Sequence, residues 1–302
     1  MPGPSPEASG AARRMRRLRC QQFFTDPGFR LRAIREPRHD IMPDPHTHDF
    51  DELVVVLNGH GRHFVGSETY DIEAGEVFVI LRGMNHSYPE TKNLSLINIL
   101  YDAEQLRLPR ADLRAVPGYQ SLFEVEPRIR ARAHFASRLR LSIDELAKMM
   151  KIVAEMEDEL NARTPGHRFL ATAHFMRLIG WLSRAYSKLP YDEPKPVTQI
   201  SRVLSHLEAH YAEPLTIEKI SRLAGMSQSG LFRIFHQVLG RSPMDHLLHL
   251  RIDKAARLLT RTTMRIGEIS EVVGFNDSNY FTRQFRATHG CSPRKYRERN
   301  PA

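Results

Sequence analysis

The chain has 302 residues, 41% hydrophobic and 26% charged, with a net charge of +9. That composition excludes a disordered chain and leaves room for two hydrophobic cores. No apolar run approaches the roughly 18 residues of a membrane span, and no apolar stretch follows the arginines near the N-terminus, so neither a membrane helix nor a secretory leader is expected. The two cysteines, Cys20 and Cys291, are far apart and have no metal-type spacing, as expected of plain thiols in a reducing cytoplasm. The charge is uneven. Residues 1–20 carry five Arg and one Glu, 21–195 carry 23 basic and 25 acidic residues, and 196–302 carry 16 Lys/Arg against 9 Asp/Glu.

Residues 1–20, rich in Pro, Gly, Ser and Arg, are expected to form a disordered basic tail. From 21 to 101 the pattern is strand-like. The β-branched run Leu53–Leu57 is closed by Asn58-Gly59-His60-Gly61, a hairpin signal. Val77–Leu81 follows a turn at Ala74-Gly75-Glu76, and Leu94 to Tyr101 alternates weakly. Several short strands with regular turns predict a small barrel or sandwich.

His46, His48 and Glu52 fall at even positions, so an extended strand projects them from one face. His86 lies beyond the next hairpin. Three imidazoles and a carboxylate suffice as a first shell for Zn, Fe, Mn or Ni. The competing reading is a hydrogen-bonded polar cluster that needs no metal.

Residues 102–187 are expected to be largely helical. Over 141–162, Leu146, Met149, Val153, Met156 and Leu160 fall at alternating a and d positions, with Leu139 extending the seam upstream. The seam predicts a homodimer through residues 139–160; the alternative is packing within one chain. A second helix over 167–187 places Leu170, Phe175, Leu178, Ile179, Leu182 and Tyr186 on one apolar face. The segment 188–196 holds three prolines in seven residues, which forbids a continuous helix and reads as a linker.

Residues 197–302 contain a motif twice. Ile217, Ile220, Ala224-Gly225-Met226, Leu231, Arg233, Phe235, Gly240 and Ser242-Pro243 recur as Ile266, Ile269, Val273-Gly274-Phe275, Phe281, Arg283, Phe285, Gly290 and Ser292-Pro293. Each copy predicts a short helix, a tight turn and a second helix. Thr216 and Ser227 are expected caps in the first unit and Asn276 or Asp277 in the second, while Arg265 is a poor cap whose helix end is expected to fray. Ile217, Ile220, Leu223, Leu231 and Phe235 face inward. Ser242-Pro243 starts a connecting helix of some nineteen residues, about 28 Å long. Such a connector suits two recognition helices placed in successive major-groove turns about 34 Å apart. The basic surplus lies in the same region, as phosphate binding requires. His206 and His210 share a helix face but lack further ligands and read as solvated residues.

The tract from Ile269 through Phe285-Arg286, followed by Gly290, Ser292-Pro293 and Tyr296-Arg297, is similar to the signature of the arabinose-regulator (AraC/XylS) family of bacterial transcription factors. Ser227, Leu231, Arg233, Phe235, Gly240, Arg251 and Ala255-Ala256 match upstream. The resemblance implies base-reading positions at Ser229, Phe232 and Arg233 in the first unit and Asn279 and Arg283 in the second. RNA polymerase is an implied partner. The block His46-x-His48-x-x-x-Glu52 with Gly59, then Gly75, Gly83 and His86, resembles both cupin motifs; it departs at Leu81, where cupins commonly have proline. The run Pro45 to Leu53 with Gly59-His60-Gly61 and Asn98 to Tyr101 resembles the sensor domains of rhamnose-type regulators.

These readings converge on an α+β chain of two domains: a cupin-like β-barrel (21–101) with a helical extension, and an all-α double helix-turn-helix. The expected function is a cytoplasmic, sequence-specific regulator that binds double-stranded DNA. It answers to a small effector, a sugar by resemblance, held by His46, His48, Glu52 and His86, with a divalent metal as candidate cofactor. The alternative is a metal-dependent cupin enzyme tethered to DNA, distinguished by stoichiometric metal and turnover. A third reading makes the N-terminal domain purely structural, so that removing residues 1–195 would leave regulation intact.

Overall fold

The computed structural model describes residues 16–39, 44–132, 139–189 and 196–300. Most of the expected tail and residues 190–195 of the expected linker lie outside them. The chain divides into two compact units, one built from the strands together with residues 130–176, the other from 109–129 and 177–302. Packing thus does not follow the division at 188–196: part of the 102–187 segment belongs with each unit.

The first unit is an eight-stranded sheet among the described residues: β1 (Arg16–Leu18), β2 (Leu31–Glu36), β3 (His46–His48), β4 (Asp51–Val65), β5 (Glu68–Glu73), β6 (Glu76–Ile80), β7 (His86–Tyr101) and β8 (Leu139–Arg140). The tail expectation is corrected over 16–20. Arg16–Leu18 pairs in parallel with β3, Leu18 is buried, and a short helix, α1 (Cys20–Phe23), follows. β4 is the central strand, pairing with β5, β6 and β7.

The hairpin expected at 58–61 is also corrected. Those residues lie inside β4, which continues to Val65, and the ladder to β7 shifts register between Val56 and Asn58 and again before His60. Gly59 adopts φ +75°, and a Cβ there would collide with the Asn93 carbonyl. The Asn-Gly pair supplies a β-bulge rather than a chain reversal. The reversal comes at Gly66-Ser67, between paired Val65 and Glu68. One face of the sheet carries Val54, Val56, Ile72, Phe78, Ile80, Tyr88, Leu94 and Leu96 as a continuous core. Leu53 and Val55, pointing the other way, are equally buried, so the β-branched run is apolar on both faces.

Ser142 accepts a bond from the Glu145 N–H while the Glu145 carboxylate accepts from the Ser142 N–H, a reciprocal cap that starts α4 (Ile143–Ala162). The dimer seam is not available as expected. Leu139 is in β8, paired with Val77, and Met149, Val153 and Met156 are fully buried within the chain. α4 packs on β2, and Arg35 forms a bidentate pair with Glu157. α5 (His167–Ser187) buries Phe175, Leu178, Ile179, Leu182 and Tyr186, but Leu170 is exposed.

In the second unit, α6 (Pro196–His210) packs against α7 (Ile217–Ala224) and α8 (Gln228–Leu239), and α9 (Pro243–Arg261) packs against α8, α10 (Ile266–Val272), α11 (Ser278–His289) and α12 (Pro293–Arg299). Thr216, Ser227, Ser242, Asp277 and Ser292 all cap as their residue types dictate. At α10 the Glu268 carboxylate accepts from the Arg265 N–H at 2.7 Å, so this helix start is closed from its third residue and not left to fray. Leu223 is exposed, a further correction; Ala224 takes the inward position.

Two arginines tie the chain ahead of each helix-turn-helix. Arg251 donates to the carbonyls of Tyr211 and Glu213, and Arg297 to those of Leu259 and Met264. Each guanidinium thus satisfies two backbone acceptors at the end of a long helix.

Candidate functional site

The sheet brings together all four polar residues singled out in the N-terminal region. β3 lies antiparallel to β7 with His46 opposite His86, and the Gly83 N–H donates to the His48 carbonyl, fixing the loop that leads into β7. Glu52 enters from the start of β4. All four side chains are buried.

The hydrogen bonds set the tautomers. His46 Nδ1 contacts the Asp44 carbonyl at 3.2 Å, His48 Nδ1 the Phe50 carbonyl at 2.6 Å, and His86 Nδ1 the Met84 carbonyl at 3.3 Å. Carbonyl oxygens only accept, so each Nδ1 carries the proton and leaves Nε2 for other partners. His48 Nε2 lies 3.1 Å from a Glu52 oxygen and His86 Nε2 lies 3.8 Å from it. The donor atoms of His48, Glu52 and His86 all lie within 4.8 Å of one another. Backbone-anchored imidazoles with converging Nε2 atoms and one carboxylate fit a divalent ion, because the outer nitrogen of a metal-bound histidine characteristically donates to such a carbonyl.

Electrostatics point the same way. Burial depresses His46 and pushes His86 down to about 3, against the opposing pull of Glu52, so both imidazoles are neutral. Burial raises Glu52, but His48, 3.1 Å away, outweighs it and holds the carboxyl below its usual range. A buried carboxylate among neutral imidazoles can receive a proton donor, a ligand hydroxyl or a cation.

The structure adds residues that sequence reasoning missed. His63 stacks on Phe78 at 4.8 Å and lies near Tyr88 at 4.9 Å, with its ring 6.0 Å from that of His86. Tyr88 has its phenol pushed well above the usual value by burial, and the buried Arg130 guanidinium is 3.2 Å from His63 Nδ1. His63 escaped because its position is odd while Glu52 is even. The register shifts of β4 reset the alternation, and the glycines at 59 and 61 are the only sequence trace of that.

In the helical unit, Ser229, Phe232 and Arg233 lie on α8 and Asn279 and Arg283 on α11, all exposed. Gly225 at φ +63° makes the turn before α8. The Asp277 carboxylate accepts from the N–H groups of Asn279 and Tyr280, presenting Asn279 at the open end of α11. Ser229 and Asn279 hold equivalent places in the two units, as do Arg233 and Arg283. Arg283 lies over the Tyr280 ring, 5.9 Å from its centre.

A family described as the AraC-like ligand binding domain matches residues 26–179, just over half of the chain, and a helix-turn-helix domain family matches 220–299. The chain belongs to the AraC family of transcription regulators. This regulator binds DNA and carries an N-terminal effector-binding domain. It is 29% identical to the HTH-type transcriptional activator RhaR of Escherichia coli strain K12 over 290 residues, covering 96% of this chain and 98% of that one. RhaR of Mannheimia succiniciproducens is 29% identical over 268 residues, 87% of this chain and 91% of that one. Among solved structures, an AraC-type regulator from Chromobacterium violaceum is 31% identical with a TM-score of 0.33, covering 34% of this chain and 91% of that one. The relatives are regulators, which removes the enzyme alternative. No helix among the described residues is long and apolar enough to cross a membrane.

Proposed function

We propose that this cytoplasmic regulator reads DNA bases with Ser229, Phe232, Arg233, Asn279 and Arg283, and binds a sugar at His46, His48, Glu52 and His86. The observation that carries the second half is the buried cluster itself: neutral imidazoles around one carboxylate form a set of hydrogen-bond partners for vicinal hydroxyls. Arginine bridges guanine O6 and N7, and asparagine pairs with adenine, which suits the exposed Arg233, Arg283 and Asn279. A divalent ion on His48, Glu52 and His86, with His46 beside them, is the cofactor reading of the same site. Bound there, it would polarise a sugar hydroxyl without any catalytic turnover. RNA polymerase is the expected partner at promoters. A homodimer would use the outer side of the 143–187 helices, where Ile143 and Phe169 are exposed, rather than the buried seam.

The test is selection from random duplex DNA with the full chain, followed by affinity measurements against a panel of monosaccharides with rhamnose included. A bipartite site whose affinity changes with one sugar supports the reading. A site bound equally in every sugar, with and without added zinc, refutes the effector half while leaving DNA reading intact.

A further inference from the structure

The helical run 117–130 packs in two places. It comprises α2 (Pro117–Tyr119), a π-helical turn (Gln120–Val125) and α3 (Glu126–Arg130). The first two parts pack on α6 in the helical unit, with Tyr119, Leu122, Phe123 and Val125 buried. Gly118 approaches α5 so closely that a Cβ would collide with the Ser183 carbonyl, and its N–H donates to Ser187 Oγ at 3.0 Å. Tyr186 Oη donates to the Glu126 carboxylate, also at 3.0 Å. The last residue of the run packs in the sheet unit instead. The Arg130 guanidinium, 2% exposed as a residue, lies 4.4 Å from the Phe78 ring centre and 4.9 Å from that of Tyr70. Its Nη2 reaches His63, and Tyr70 Oη donates to its carbonyl at 2.8 Å. His63 in turn neighbours His86.

One short helical run therefore ends in the wall of the effector site and begins on α6, against which α7 and α8 of the first helix-turn-helix pack. Its middle is a π-helical turn, a rare conformation that holds one residue more than an α-helical turn. Conversion of that turn to α register would move one end of the run relative to the other by one residue, about 100° and 1.5 Å. Such a conversion would give the two discrete arrangements that coupling between distant sites requires.

We propose that Arg130 passes occupancy of the histidine–glutamate site in the sheet unit to the DNA-reading unit. A ligand or ion engaging His86 and His63 displaces the guanidinium, and the 117–130 run changes register at its π turn and alters the support under α6. Arg130 is a positioning residue in this scheme and touches no base. The proposal rests on the reading of the histidine–glutamate cluster as the effector site.

The experiment is hydrogen–deuterium exchange on the full chain, ligand-free, for wild type, Arg130→Gln, Arg130→Lys, His63→Phe and the sheet-core control Ile72→Ala, with affinity for a selected duplex measured alongside. Arg130→Gln and His63→Phe should change exchange in peptides of 117–125 and 196–210 and shift the duplex Kd at least about fivefold, the low end of typical coupling. Arg130→Lys should restore much of the wild-type pattern. Ile72→Ala should affect sheet peptides alone. If the arginine and histidine variants affect only sheet peptides, or if Ile72→Ala reproduces the change in α6, the proposal is overturned. Should Arg130→Gln fail to fold, His63→Phe and Arg130→Lys still decide it. If α6 responds as stated but no sugar or zinc changes wild-type DNA binding, the coupling stands and the effector reading falls.

Discussion

His46 stands directly opposite His86 across the β3–β7 pair, their ring centres 4.1 Å apart, with both Nδ1 atoms tied to backbone carbonyls. Two neutral buried imidazoles so placed gain nothing from each other by hydrogen bonding when both Nε2 atoms lack protons. The proposed ligand or ion, placed between them and Glu52, would resolve the arrangement.

The first prediction follows from that geometry. Purified regulator, metal-depleted and titrated with Co2+ as a spectroscopic probe, should bind about one equivalent. His86→Ala or Glu52→Gln should weaken binding by more than the roughly 10–100-fold typical of losing an outer-shell partner. No cobalt spectrum in wild type would leave the cluster as a metal-free polar site.

Base reading by the two arginines is testable separately. Arg233→Ala and Arg283→Ala should each cost about 1–3 kcal/mol and relax preference at one position of the selected site. A loss that is uniform across sequences would assign that arginine to the phosphate backbone.

Two glycines separate strain from collision. Gly274 has φ +90°, and a Cβ there would meet the Ala212 carbonyl oxygen at 2.6 Å, whereas Gly240, at φ +70°, has nothing within 4 Å of its Cβ position. Gly240→Ala should cost about 1 kcal/mol, the backbone penalty alone. Gly274→Ala should cost distinctly more, because two backbone segments must part. Equal urea midpoints for the two variants would contradict the close approach.

Burial pushes His246 down to about 4, with Arg241, His249 and Arg114 adding to the effect and Asp245 opposing it. Between pH 4 and about 6.5 the unfolded chain binds the proton that the folded chain refuses, so stability rises with pH across this window and is complete above it. The contribution is up to roughly 3 kcal/mol. His246→Gln should flatten the slope of stability against pH between 4 and 6.5. A slope equal to wild type would show that His246 titrates normally in the fold.

Much of the helical unit was legible residue by residue. Ser227, Ser242 and Ser292 cap helices through contacts with residues three positions away, and Gly225 makes a turn through its own φ. Such interactions are local, so sequence spacing reports them directly. Errors arose where a local signal was overruled by a distant partner. Asn58-Gly59 has the chemistry of a hairpin, yet pairing along β7 carries β4 straight through it as a bulge. The heptad of α4 is periodic enough for a coiled coil, but its inner residues meet their own chain first.

The candidate site divides in the same way. His46, His48 and Glu52 could be grouped from the alternation of an extended strand, and His86 from its resemblance to a motif. His63, Tyr88 and Arg130 could not, since bulges reset the alternation and Arg130 arrives from a helix 67 residues beyond His63. The sequence by itself determined the doubled helix-turn-helix, the basic DNA-reading half and the polar character of the sensor, because these rest on short-range spacing and composition. Only the tertiary structure decided which histidines come together, which helix face is already buried, and that one helical run is anchored at both the sensor and α6. Each of those depends on contacts between residues far apart in the chain, and periodicity carries no information about them.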